Sequence, residues 1–276
     1  MGFIWRKGLK EKPDKRITLT DKYFEKIDDT RKVFDIFNDV LNSEDKLIEL
    51  DFSLCKHISV TGITILAALA PLISKQGRKL IIHLNENNIE FSKHLFYEER
   101  NNQEIKTLPF TLLNDRTVVD VLDGLKRIPA MKCLKDSFYY EIWSRCYELC
   151  TNANEHASNA IGAACNGYCN NGYFTFTVFD FGKGILNNVK EYLNKDLTAE
   201  EAVEWALKRA HSTKQSLNMP RGAGFPATIK FINKYKGQMI LCTDDVYCVI
   251  KNNNKHFQKL NAPIIGTLIT ISMKIE

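Results

Sequence analysis

The chain has 276 residues, 44% hydrophobic and 26% charged, with a formal net charge of +5. That is enough apolar material for two domains with separate cores. The charge is too mild and too dispersed to indicate a nucleic-acid partner, apart from the basic first sixteen residues. No apolar run approaches the length of a membrane span, and the start lacks the apolar core of a signal peptide, so the expectation is a cytoplasmic protein.

Residues 1–16, with Arg6, Lys7, Lys10, Lys12, Lys15 and Arg16, read as a solubilising, disordered tail. Residues 17–19 predict a short strand, and 29–41 carry Val33, Phe34, Phe37, Val40 and Leu41 at helical spacing. Residues 47–52 alternate like a strand, and 62–74 form an apolar helical run that Gly77 ends in the left-handed conformation. Residues 79–84 are a further strand, so this half contains a βαβ unit and a partly parallel sheet. Residues 101–114 are polar, contain Pro109 and suit a linker.

A helical pattern then runs from Phe138 through Ile142, Trp143, Cys146, Leu149, Cys150 and Ala153 to Ala157. Glu148 and Asn152 lie one turn apart on it. They suit the wet side of an amphipathic helix, and equally a carboxylate and an amide that orient a water and hold a hard cation through oxygen. The helix alone does not choose between these. An aromatic and β-branched strand follows, ending in Asp180-Phe181-Gly182-Lys183-Gly184-Ile185, where the two glycines permit a tight turn and close approach of a ligand. Thr198 and Glu201 form a capping box for a helix through Val203, Ala206, Leu207 and Ala210. Arg221-Gly222-Ala223-Gly224-Phe225 opens another helix, whose free N–H groups suit phosphate oxygens. Gly266-Thr267 opens a late strand over 268–275.

Eight cysteines raise the question of a metal or disulfides. Cys146 and Cys150 share an apolar helix face, Cys165 and Cys169 read as loop residues, and Cys242 and Cys248 as flanks of a hairpin. None has Cys-x-x-Cys spacing, so all are expected to be reduced thiols.

In this order the boxes resemble those of the ATP-binding domain shared by DNA gyrase, heat-shock chaperones, sensor histidine kinases and mismatch-repair proteins, the GHKL superfamily or Bergerat fold. Glu148 and Asn152 match its first box and Asp180, Gly182, Gly184 and Ile185 its second. Gly222 and Gly224 match the third, with Phe225 where an aliphatic residue is usual, and Gly266 and Thr267 the last. The resemblance implies that residues 115–276 are a two-layer α/β sandwich on a mixed sheet, binding ATP and Mg²⁺. It implies that Asn152 ligates the metal, Asp180 receives the adenine amino group, and Gly182 and Gly184 shape the base pocket beside Ile185. Gly222, Ala223 and Gly224 would cap the phosphates, Thr267 would support the adenine end, and Glu148 would act as general base. The interval before the third box would be the ATP lid, in which Thr213, Lys214 and Arg221 are expected to meet the triphosphate.

Residues 17–100 resemble a STAS domain, the module of bacterial anti-sigma-factor antagonists. The matching residues are Leu50-Asp51-Phe52-Ser53, Ile58-Ser59-Val60-Thr61-Gly62, and Gly77 before Leu80-Ile81-Ile82. Thr61 keeps a hydroxyl at the family's phosphoacceptor position, but the acidic residue two before it is replaced by Ser59; a helix N-cap is the alternative role for Thr61. A protein partner for this domain and a homodimer are both compatible with the resemblance.

Asp180-Phe181-Gly182 also looks like the metal-binding tripeptide of eukaryotic-type protein kinases, but the Gly-x-Gly follows it and no His-Arg-Asp occurs. No P-loop is present either. Three functions stay open at this level: an ATPase or ATP-driven switch, a serine/threonine kinase of the anti-sigma type, and a nucleotide-sensing module with little turnover.

Overall fold

The apolar periods resolve into two groups of elements in a computed structural model that describes residues 3–4, 12–20, 29–55, 59–83, 106–114, 117–157, 161–208 and 224–275. Chain contacts divide it into Met1–Arg100 and Asn101–Glu276.

The first unit has strands β1 (Phe3–Ile4), β2 (Lys15–Thr20), β3 (Leu47–Leu54) and β4 (Lys79–His83), ordered β1-β4-β3-β2 with every pair parallel. Helix α1 (Asp29–Asn42) lies between β2 and β3 in sequence, and α2 (Val60–Ser74) between β3 and β4. Helix α1 buries Val33, Phe34, Phe37 and Val40, a single stripe at helical spacing. Helix α2 is apolar on all sides and accordingly buries thirteen of its fifteen residues. Gly77 follows it with φ +72°, and the Arg78 amide returns to the Ile73 carbonyl at 3.1 Å.

Two expectations for this unit are corrected. Phe3 and Ile4, counted in the basic tail, form an edge strand beside Leu80 and Ile81, because two β-forming apolar residues precede the charges. The N-cap of α2 is Ser59, whose hydroxyl accepts from the Gly62 amide at 3.0 Å. Thr61 is already helical and buried, since a cap bonds three residues ahead of itself.

The sequence did not single out Arg78, which is buried and closes the C-terminus of α1. Its guanidinium donates to the carbonyls of Val40 (2.8 Å), Leu41 (3.2 Å) and Asp45 (2.8 Å), and to Ser43 Oγ (2.7 Å) and Gln76 Oε1 (2.8 Å). Helix-end carbonyls without an intrahelical partner are satisfied this way by a planar fork of donors.

The second unit begins with β5 (Thr107–Leu113), α3 (Val118–Asp123), a 3₁₀ turn (Gly124–Arg127), α4 (Pro129–Lys132) and the long α5 (Asp136–His156). It continues with β6 (Ala163–Asn170), β7 (Tyr173–Asp180), α6 (Gly184–Leu193), α7 (Ala199–Ala206), α8 (Gly224–Lys234), β8 (Gln238–Lys251) and β9 (Asn254–Lys274). The sheet order is β5-β6-β7-β9-β8. The expected mixed sheet is corrected, since every pairing is antiparallel. Two tight turns impose this on β6–β7 and β8–β9: Asn171-Gly172 (φ 48° and 73°) and Asn252-Asn253 (φ 51° and 62°), the positive-φ pairs that match hairpin twist.

The linker expected at 101–114 gives way to β5 over its last part, because Leu108 and Leu113 are buried in the core. Pro109 is tolerated there because β5 is an edge strand whose register shifts between Leu108 and Thr111. Cys165 and Cys169 lie on β6 rather than in a loop. The Asn166-Gly167 pair between them stays extended, and Gly167 leaves room for Leu108 and Phe176. Cys242 and Cys248 both lie on β8, whose hairpin turn comes later.

Core-facing rows from the sheet include Phe174, Phe176 and Val178 of β7 and Ile269, Ile271 and Met273 of β9, packed with Ile142, Cys146, Leu149 and Cys150 of α5. These rows change character at one end of the sheet. Asp180, Thr267 and Thr243 continue them and stand opposite one another across β7, β9 and β8.

Arg78→Ala is expected to destabilise the first unit by about 2–3 kcal/mol, because buried carbonyls lose a charged donor. Arg78→Lys recovers only part, since an ammonium cannot span the same acceptors. Urea unfolding of the full chain checks this, and a loss under about 0.5 kcal/mol contradicts the capping role.

Candidate functional site

Helix α5 carries the acidic residue and the amide of the first box on one face. Glu148 Oε2 accepts from Arg145 Nη1 at 2.5 Å, one turn back. Its Oε1 faces the head of α8. A Cβ placed on Gly224 would stand 2.9 Å from Glu148 Oε1 and 3.2 Å from Asn152 Nδ2. The third box's second glycine is therefore packed against the first box, with no side chain between them.

The far end of α8 is tied to the same helix. Lys234 Nζ reaches Glu141 Oε1 at 2.7 Å, the Tyr235 hydroxyl donates to Glu141 Oε2 at 3.0 Å, and Phe138 stacks on Tyr235 at 4.2 Å. These contacts hold α8 along α5 and so hold Gly224 in position. Phe225 and Ile229 are partly buried against the core.

One turn beyond Asn152, α5 reaches the second box. A Cβ on Gly182 would lie 2.1 Å from the His156 carbonyl oxygen, a separation no side chain tolerates. Residues 148 to 156 thus span about 12 Å of α5 and meet both glycine boxes, Gly224 through the side chains of Glu148 and Asn152 and Gly182 through the His156 carbonyl.

Asp180 ends β7 in the core-facing row and is buried. Its Oδ1 accepts from the Gly182 amide at 2.8 Å, and the hydroxyl and amide of Thr267, opposite it in register, also hydrogen-bond its carboxylate. Burial outweighs these hydrogen bonds and pushes the carboxyl up to about 7. Gly266 has φ +75°, and a Cβ on it would stand 1.9 Å from the Asp180 carbonyl oxygen. The Gly-Thr pair thus has two distinct jobs: the glycine lets the strands approach, and the threonine donates. Phe181 packs edge-on against Phe179 at 5.1 Å, both fully buried; Phe179 lies on the opposite face of β7 from Asp180.

Gly184 and Ile185 meet two residues that the sequence reading missed. The Ile185 amide donates to Thr243 Oγ1 and the Leu186 amide to Asp244 Oδ2, each at 3.0 Å. Asp244 itself has φ +51° at a bulge in β8. Burial raises its carboxyl above the ordinary range, against hydrogen bonds from Leu186 and Thr243. A Thr-Asp pair inside a long strand carries no glycine marker, so its one sequence signal was an acidic pair interrupting an apolar row.

Thr213, Lys214, Arg221, Gly222 and Ala223 lie outside the described residues, as does the rest of the interval 209–223. Among the described residues, no group of three or more His, Cys, Asp or Glu side chains suits a metal ion, and no helix is long and apolar enough to cross a membrane. All eight cysteines are free, and only Cys133 is exposed.

Compared with protein-family models and with curated proteins, the chain matches none. Its functional reading rests on the site itself.

Because Asp180 holds its proton up to about pH 7 in the folded chain, against 3.8 ordinarily, the folded state binds more protons between those values. Stability from this group is complete below about pH 4 and is lost as pH rises through 7. Wild type minus Asp180→Asn denaturation midpoints should therefore fall between about pH 4 and 7 and level off above about 7. A flat difference would show that the carboxyl titrates normally.

Proposed function

We propose that the second unit is an ATP-binding domain of the GHKL type, working with Mg²⁺ as an ATPase or nucleotide-driven switch, and that the first unit is a STAS-like regulatory domain that binds a protein partner. The observation that carries this reading is the meeting of Gly224 with Glu148 and Asn152 in the C-terminal half of α5 and of Gly182 with the His156 carbonyl at its end, one turn further on. Motifs far apart in sequence converge on one helix, which mere glycine turns have no reason to do.

In this reading Asp180, once ionised, accepts the adenine amino hydrogen, and Thr267 supports it. The head of α8, which begins at Gly224 beside Glu148 and Asn152, would receive the phosphates, since helical N–H groups there favour anions. Asn152 would supply one neutral oxygen to Mg²⁺, and the remaining ligands would come from phosphate and water, which suits this ion and needs no protein carboxylate cluster. The charge neutralisation of the triphosphate would be what Mg²⁺ supplies when held by Asn152. Glu148 takes the proton from the attacking water, and Arg145 fixes its rotamer through Oε2.

Radiolabelled ATP with purified protein should release free phosphate in a Mg²⁺-dependent manner. Glu148→Ala is expected to keep ATP affinity and to lower turnover about 10²–10⁴-fold. Asn152→Ala should impair turnover while adenosine binding is nearly retained. Labelled protein instead of free phosphate would indicate kinase chemistry, and no binding at all would overturn the reading.

A second test uses the base. Asp180→Ala should weaken ATP binding about 10- to 100-fold, because the amino donor loses a charge-assisted acceptor. Wild type should reject GTP, which presents a carbonyl at that position. ATP affinity should also rise with pH up to about 7, as Asp180 ionises. Equal affinity for GTP and ATP would remove Asp180 from base recognition.

A further inference from the structure

Helix α6 starts without a cap of its own. Lys183 stands at its N-cap position and makes no side-chain capping bond, since an ammonium cannot accept. The next residue, Gly184, has φ +80°. Two of the helix's first amides are then satisfied from a strand nearly sixty residues away, Ile185 by Thr243 and Leu186 by Asp244. The missing side chain of Gly184 is what admits them, for a Cβ there would stand 3.0 Å from both carboxylate oxygens of Asp244 and 3.1 Å from Thr243 Oγ1.

Three unusual features meet in this one contact. They are a positive-φ glycine, an uncapped helix start, and a non-glycine residue held in the left-handed region at a bulge. The contact is also continuous with Asp180. Thr243 faces Thr267 across β8 and β9, with hydroxyls 3.4 Å apart, and Thr267 faces and hydrogen-bonds Asp180. The Thr243 hydroxyl also lies 3.0 Å from the Gly266 carbonyl oxygen, on the glycine that permits the β7–β9 approach. The turn from Asp180 to Leu186 is thereby pinned at three amides: Gly182 on Asp180, Ile185 on Thr243 and Leu186 on Asp244.

We infer that Thr243 and Asp244 are positioning residues for nucleotide-base recognition, holding the Gly182–Gly184 turn in the form that receives adenine. This rests on the ATP-binding reading above. Neither residue is assigned contact with the nucleotide. The expected signature is a loss confined to the base end of the ligand, because Glu148, Asn152 and Gly224 are anchored separately, through α5 and α8.

The test is calorimetry on the full chain with three probes: ATP with Mg²⁺, adenosine, and inorganic tripolyphosphate with Mg²⁺. Asp244→Ala and Thr243→Val should each weaken ATP and adenosine binding by a common factor of about ten and leave tripolyphosphate unchanged. Asp244→Asn keeps an oxygen acceptor for the Leu186 amide and should restore near wild-type affinity. Amide hydrogen exchange at Ile185 and Leu186 should accelerate in the first two variants and not in the third. If Asp244→Ala binds adenosine like wild type, the inference fails while the ATP reading stands. If all three probes weaken together, the pair serves general folding only, and the inference also fails. A wild-type chain that binds neither ATP nor adenosine overturns the parent reading, and this inference with it.

Discussion

The second unit depends on a buried carboxylate at the end of a strand. Asp180 occupies a position where the core-facing row of β7 has so far been Phe174, Phe176 and Val178. Putting an acid there is unfavourable unless hydrogen bonds surround it, and even with bonds from Gly182 and Thr267 its carboxyl is pushed up to about 7. The neighbourhood is built to keep it: Gly266 lets β9 approach at a distance no side chain allows, which brings Thr267 into bonding range.

Helix α5 relates this end of the site to the other. Its apolar stripe of Ile142, Cys146, Leu149, Cys150 and Ala153 fixes its rotation against the sheet. Once rotation is fixed, the Glu148 and Asn152 side chains must fall on a different face, where Gly224 closes on them, while Gly182 closes on the His156 carbonyl at the helix end. Gly182 and Gly224 are thus not interchangeable turn residues. Gly182 meets backbone, which cannot yield, whereas Gly224 meets the ends of two side chains, which can.

The first unit uses charge differently. Glu49 and Asp51 are buried side by side on β3, with Arg16 of β2 and His83 of β4 as their partners. Burial pushes the Asp51 carboxyl up, but hydrogen bonds from Ser53 and the nearby His83 and Arg16 bring it below its ordinary range. Asp51 is therefore compensated within the fold, whereas Asp180 and Asp244 are left raised. That contrast separates a satisfied ion cluster from carboxylates at a candidate site.

Much of this was legible in the sequence because it is local. Alternation gave β3, a β-branched and aromatic run gave β7, the segment after Gly77 gave β4, helical spacing gave α1 and α5, and Thr198 with Glu201 forms its capping box as the spacing predicts. Side-chain period and cap chemistry act within a few residues, so they can be read without a fold. The glycine boxes were visible for the same reason, but what each glycine makes room for was not. The tertiary structure decided that Gly182 admits His156, that Gly224 admits Glu148 and Asn152, and that Gly184 admits Thr243 and Asp244. It also drew Pro109 and its neighbours into an edge strand, made Cys165 a strand residue, and placed Arg78 on the end of α1. Each of these is set by contacts between segments tens of residues apart, and such contacts leave no period in the chain that makes them.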